Sequence, residues 1–243
     1  MRSSKWQALG NSYLVVERGD EGPLTPELVR GLCREADGVV EVLAVTEDGL
    51  DVLIWNADGS LAEMSGNGTR IAARWLASRT GADCVRVRVG PREVNARMLA
   101  DQLVETDMGP VEVHAPERVG STDLVVVSTG NPHVVIVGDP ADVAELGRWL
   151  GSHTRFPEGV NVEVARVDGP GDVTARIWER GVGETTASGT GAVAVAAATH
   201  GAGYVRVHFP GGTLHVRLEE GRAYLTGPAV EVEESTSTPS SRA

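Results

Sequence analysis

The stretch MSGNGTR, Met64–Arg70, stands directly before the apolar run IAARWLA, Ile71–Ala77. Far along the chain a second stretch, ASGTGAVAVAAA, runs from Ala187 to Ala198. In a wider frame the two are WNADGSLAEMSGNG, Trp55–Gly68, and WERGVGETTASGTG, Trp178–Gly191. Each ends a strand-like run at tryptophan, crosses a Gly-containing loop, and reaches Ser-Gly-x-Gly ten residues later, where a small-residue apolar helix begins. The offset of 123 residues is about half the chain, which reads as an internal duplication. The expected lobes are 1–112 and 113–222, with a last strand at about 223–232 rejoining the first lobe and a disordered polar tail at 235–243.

Composition bounds the function. The chain of 243 residues is long enough for one large domain or two small ones with their own cores. A formal charge of −12 argues against nucleic acid as partner, because phosphate backbones would be repelled and no basic stripe is present. No apolar run approaches the roughly 18 residues of a membrane span, and the N-terminus lacks a signal-like apolar core. The expectation is a cytoplasmic protein with no membrane partner. Two cysteines, Cys33 and Cys84, make no disulfide framework and are expected to be buried. The six histidines are scattered without metal-ligand spacing, so no metal is expected. Lys5 is the only lysine and is not placed for a Schiff base, and the Gly-rich loops match no nucleotide fingerprint. No cofactor is implied.

Strand signals dominate: SYLVVE, VLAVT, DVLIWN, VRVRV and LVETDM, then LVVVST, HVVIV, NVEVARV, TARIWE, YVRVHF, TLHVRL and AYLTG. Helical periodicity is confined to PELVRGLCREA, NGTRIAARWLASR, DVAELGRWLGSH and GTGAVAVAAATH. The class is α+β.

A single Ser-Gly-x-Gly before a helix is usually a plain N-cap. Two in register suggest more. Helix N-termini present free N–H groups and the positive end of the dipole, so two facing lobes can converge on one small anion. A carbon approached from opposite sides by two acid/base groups is the need of a racemase or epimerase. Ser65 and Ser188 would then head the two faces.

The chain resembles the diaminopimelate epimerase family. The motifs carrying the resemblance are LGNSYLVV (from Leu9), WNADGSLAEMSGNGTR, DMGP, GNPHVVIV, FPEGVNVEV, WERGVGETTASGTGA and LTGPA, in order from about residue 5 to 232. The resemblance implies two pseudo-symmetric lobes, each a curved, mostly antiparallel sheet around a central helix, with the site between them. It implies a cofactor-independent isomerase of lysine and peptidoglycan biosynthesis, acting on a small amino acid with carboxylates and able to form a homodimer. Asn11, Asn56, Asn131 and Asn161 match asparagines holding the substrate's polar ends. Gly66, Asn67, Gly189 and Thr190 match donors at the two helix N-termini. Arg180 matches an arginine that pairs with a substrate carboxylate, and His133 and Glu179 match groups assisting proton transfer.

The departure lies at the reacting groups. The family carries cysteine where this chain has Ser65 and Ser188. A thiol has a pKa of about 8.5, lowered further at a helix N-terminus, whereas a serine hydroxyl is a far weaker acid. Three readings stay open: an epimerase of LL- and meso-diaminopimelate whose catalytic cysteines have been exchanged, a repurposed member running another acid/base isomerisation with His133 and Glu179, and an amino-acid-binding protein without catalysis. A shortened loop at CREADGVVEV and Ser12, where the family often has aspartate, weaken the case for diaminopimelate itself.

Overall fold

The computed structural model describes residues 2–19, 22–62 and 65–232. The expected disordered tail, 235–243, lies outside them. The first half runs β1 (Arg2–Ala8), β2 (Asn11–Glu17), α1 (Pro26–Leu32), β3 (Gly38–Val45), β4 (Gly49–Asn56), α2 (Gly66–Thr80), β5 (Cys84–Val89), β6 (Arg92–Met98), β7 (Leu103–Pro110) and β8 (Glu112–Val113). The second runs β9 (Glu117–Val119), β10 (Thr122–Ser128), β11 (Pro132–Val137), α3 (Val143–Gly151), β12 (Asn161–Gly169), β13 (Asp172–Glu179), β14 (Gly183–Thr185), α4 (Gly189–Thr199), β15 (Gly203–Phe209), β16 (Gly212–Glu219), β17 (Arg222–Pro228) and β18 (Val230–Val232).

The pairings repeat. In the first half β1–β2 is antiparallel, β2–β3 parallel, β3–β4 antiparallel, β4–β5 parallel, and β5–β6–β7 antiparallel. In the second, β10–β11, β11–β12, β12–β13, β13–β15 and β15–β16–β17 follow the same sequence of directions. The equivalent strands β7 and β17 pair antiparallel and join the halves, with Thr106 donating its hydroxyl to the Leu225 carbonyl. Each half also lends a strand to the other: β18 pairs with β1, and β8 pairs with β10. Each half is therefore incomplete without the other's chain end.

The helices explain the sequence patterns. α4 is GTGAVAVAAAT, apolar all round, because strands surround it; Ala192 to Ala196 are all buried. α2 buries Asn67 to Ala73 and then Trp75, Leu76 and Ala77. The two principal cores form around these helices, one with Val15, Val40, Ile54 and Val87, the other with Val135, Ala165, Ile177 and Val207. α1 and α3 lie outside the sheet over smaller clusters, α1 with Val16, Val39 and Trp55, α3 with Val134, Val162 and Trp178. Alternation along the strands sends Ile54 and Ile177 inward and Trp55 and Trp178 outward.

The long strands absent from the sequence expectation are β1 and β6; the short β8, β9 and β14 are absent from it too. In β6 only Val94 and Ala96 are buried, between charged or polar neighbours, so the alternation was too thin to read. The expectation of buried cysteines is corrected: both are free, Cys33 half-buried after α1, and Cys84 exposed. In β5 the inward positions belong to Val85, Val87 and Val89, which leaves Cys84 on the outer face.

α3 crosses β13 at Gly147, where an added Cβ would lie 2.3 Å from Trp178 Cγ and 2.4 Å from its Cβ. These atoms lie at the base of a packed side chain and cannot swing away. Gly147→Ala is therefore expected to destabilise the protein by about 1–3 kcal/mol through overpacking. Urea denaturation checks this; an unchanged midpoint would show that the α3–β13 contact is looser than described.

Candidate active site

Both Ser-Gly-x-Gly motifs cap helices. Ser65 Oγ accepts from the Gly68 N–H at 3.1 Å, and Ser188 Oγ from the Gly191 N–H at 3.2 Å. The second glycine of each motif is required by the strand before it. A Cβ on Gly68 would lie 2.9 Å from Ile54 Cδ1, and one on Gly191 would lie 2.8 Å from Ile177 Cδ1. The first glycine faces the other helix: a Cβ on Gly66 would stand 3.5 Å from the Gly189 Cα, an ordinary contact distance, and the reverse distance is the same. The two helix N-termini thus meet head to head. Among the described residues the backbone N–H groups of Gly66, Asn67, Gly189 and Thr190 have no hydrogen-bond partner, while the next N–H groups are taken by the serines.

These N-termini open on a cavity of about 220 Å³. Its wall contains Ser65, Ser188, Gly66, Asn67, Gly189, Thr190, Asn11, Asn56, Asn131, Asn161 and Glu179, all singled out from the sequence. Tyr13, Asp37 and Thr185 line it too. Eleven of the thirteen expected positions, from both halves of the chain, thus face one space.

His133 and Arg180 are the two that do not line it. His133 is wholly buried behind the wall. Its Nδ1 lies 2.7 Å from Glu163 Oε1, and its Nε2 lies 3.1 Å from Asn131 Oδ1. It therefore holds a wall asparagine rather than facing the cavity. Arg180 is exposed, its guanidinium donating to the Glu158 carbonyl at 3.2 Å, while its backbone N–H donates to Asn161 Oδ1 at 2.9 Å. Asn161 Nδ2 donates to the Pro132 carbonyl, so this side chain ties loop to strand.

The serines differ in surroundings. Ser65 Oγ lies 3.2 Å from the Tyr13 hydroxyl. Burial raises the Tyr13 pKa, with the Asp37 and Glu179 carboxylates adding to the rise, so the phenol stays protonated, and either hydroxyl can donate to the other. When Tyr13 is the donor, Ser65 accepts from Tyr13 and Gly68 and keeps its own O–H to give. Among the described residues Ser188 has Thr190 Oγ1 alone, at 3.4 Å, besides its cap bond. Glu179 accepts from the Thr185 hydroxyl at 2.6 Å. Asp37 accepts from the Ser12 N–H and hydroxyl.

Tyr13 was missed from sequence, although GNSY (Gly10–Tyr13) and GNPH (Gly130–His133) repeat in register and put Tyr13 opposite His133. Arg70 was also missed. It is fully buried in α2, donates to Asn67 Oδ1 at 2.5 Å, and leaves Nε and Nη1 without partners.

The diaminopimelate epimerase family profile matches residues 3–114 and 125–232. The chain is 36% identical over 269 residues to the diaminopimelate epimerase of Synechococcus elongatus, covering 96% of each. Among solved structures it is similar to a phenazine biosynthesis protein of the PhzF family from Bacillus anthracis, at a TM-score of 0.71 and 14% identity over 96% of this chain and 98% of that one. A hydroxyproline epimerase from Agrobacterium vitis superposes with a TM-score of 0.63 at 15% identity, covering 95% and 88%. These two likenesses concern the fold. The chain belongs to the diaminopimelate epimerase family and has that family's α+β fold. Its relatives are isomerases. No helix among the described residues is long and apolar enough to cross a membrane.

Burial pushes the Glu163 carboxyl up from its ordinary range, against the opposing pull of His133. A carboxyl whose pKa is raised by folding binds its proton more tightly in the folded state, so its contribution is full below the unfolded pKa and is lost as pH rises toward the folded one. Glu163→Gln keeps an acceptor for His133 without the charge. Its melting temperature is expected to gain on the parent as pH climbs above about 4.3, the ordinary glutamate value. A parent–variant difference independent of pH would contradict this.

Proposed function

We propose that the cavity takes a small amino acid of the diaminopimelate type by its α-carboxylate and moves its α-proton, with serine hydroxyls where the family has thiols. The observation that supports this most is the head-to-head meeting of the two helix N-termini, with four free N–H groups and both serines on one cavity. The α-carboxylate sits on those N–H groups, as anions do at helix N-termini. The ammonium groups go to the Glu179 and Asp37 carboxylates and the asparagine amides. The α-carbon then lies between Ser65 and Ser188. Arg180 at the rim reaches a distal carboxylate only by leaving the Glu158 carbonyl.

The proton moves in two steps. The α C–H bond breaks as a base takes the proton, and the electron pair spreads into the carboxylate, where the N–H groups stabilise it. A proton then arrives on the opposite face. Ser65, fed by Tyr13, is built to give one. Ser188 is too weak an acid to serve as alkoxide at neutral pH, which leaves Glu179 as the acceptor. The parent is accordingly a slow catalyst of LL- to meso-diaminopimelate epimerisation. His133 serves by holding Asn131.

The hydrogen bond between Tyr13 and Ser65 favours a second reading, a one-way isomerisation of a more acidic proton, because a phenol that donates to Ser65 leaves the serine O–H to give. Deuterium incorporation at the α-carbon of LL- and meso-diaminopimelate, followed by NMR, separates the two. The double replacement Ser65→Cys with Ser188→Cys is expected to raise exchange and inversion by about 10²–10⁴-fold, the usual range for a positioned acid/base pair. Either single replacement should restore little inversion. A parent already as fast as the double variant would show serine to be competent. A double variant that binds the ligand without exchanging its proton would favour the repurposed isomerase or a pure binding protein.

A further inference from the structure

We infer that the carboxylate of the bound ligand is the counter-ion of Arg70, making Arg70 the residue that positions the acid group at the junction of the two helices. This rests on the reading of the cavity as an amino-acid site and adds the source of its anion affinity.

The argument begins with a charge in the wrong place. Arg70 is 0% exposed. Among the described residues its one hydrogen bond goes to a neutral amide, Asn67 Oδ1, and Nε and Nη1 have no partner. No carboxylate among the described residues forms an ion pair with it. Burial lowers its pKa to about 10, and the Tyr13 phenol is the one ionisable group that acts on it. At neutral pH it therefore remains a cation without an anion. An uncompensated buried charge is among the most costly features a fold can carry, so such groups are normally paired.

Its position shows where the anion belongs. Nη1 lies 3.4 Å from the Cβ position of Gly66 and 3.9 Å from that of Gly189, and Nε lies 3.0 Å from that of Gly227. The guanidinium thus sits behind the cavity wall, not in it, at the point where the two helix N-termini touch, with both positive dipole ends beside it. The free N–H groups of Gly66 and Gly189 lie at that same junction. A carboxylate on them meets three positive sources at once. The repeat supplies no second cation: the position equivalent to Arg70 in α4 is Val193, which is buried. One cation between two helices matches one carboxylate.

The test compares Arg70→Lys, Arg70→Gln and Arg70→Met with the parent, by calorimetry with LL-diaminopimelate and with acetate, and by melting temperature without and with each probe. Loss of the charge in the Gln and Met variants is expected to weaken both probes by about ten- to a hundredfold, since a buried charge behind the wall acts on the carboxylate through a low-dielectric medium, while Lys loses less. Without ligand, Arg70→Met is expected to melt higher than the parent, because a charge without a partner has gone. A merely structural arginine would give the reverse, a lower melting temperature and unchanged affinity. If Met fails to fold, the Lys and Gln affinities decide: equal values overturn the inference. Diaminopimelate and acetate bound equally by parent and Gln would overturn it and leave the amino-acid site standing. Acetate bound in an Arg70-dependent way with no binding of diaminopimelate would overturn the amino-acid reading and leave Arg70's role standing. A parent that binds neither overturns both.

Discussion

Everything in this molecule is arranged about the contact between Gly66 and Gly189, where the Cα of one stands 3.5 Å from the Cβ position of the other. Helix N-termini repel one another, since each carries the positive end of its dipole and unsatisfied N–H groups. Holding two of them head to head requires force from elsewhere. The β7–β17 pairing supplies it, together with the exchange of β8 and β18 between the halves. The two glycines bring the helix ends to ordinary contact distance, and at Gly189 a Cβ would also crowd Leu225 Cδ2 at 2.9 Å. The result is a concentrated electropositive point on the floor of a polar cavity, which a small carboxylate would relieve.

The duplication was legible because both copies kept the same device. Ser-Gly-x-Gly records two separate close approaches, the first glycine to the opposite helix and the second to Ile54 or Ile177. The wall asparagines were legible through the family motifs. Arg70 and Tyr13 were not, for a physical reason. Arg70 looks like an ordinary polar residue of an amphipathic helix until the wrapping sheet is known to bury every side of α2. Tyr13 reads as one apolar position of a strand until its hydroxyl is found on Ser65. His133 was expected at the cavity, but Glu163 in the parallel neighbour β12 draws the ring behind the wall. Arg180 was expected on the ligand, and its side chain lies instead along Glu158 in the solvent.

The symmetric frame holds an asymmetric site. Tyr13 stands where the other half has His133, and Asn56 where it has Glu179. A thiol pair in this frame would have interchangeable faces, because either sulfur can give or take a proton. Hydroxyls remove that freedom, and their neighbours then decide direction. In the proposed function, Ser65 gives a proton and the carboxylate of Glu179 takes one. On that proposal, replacing sulfur by oxygen alters more than rate, because the neighbours of the two capping residues then take part in the proton chemistry.

The central claim is that both helix N-termini grip one carboxylate. It is tested most directly by titrating the ¹⁵N-labelled protein with diaminopimelate and following the amides of Gly66, Asn67, Gly189 and Thr190 by NMR. All four are predicted to shift along a single binding curve. Shifts confined to one helix, or two curves with different midpoints, would contradict a shared site.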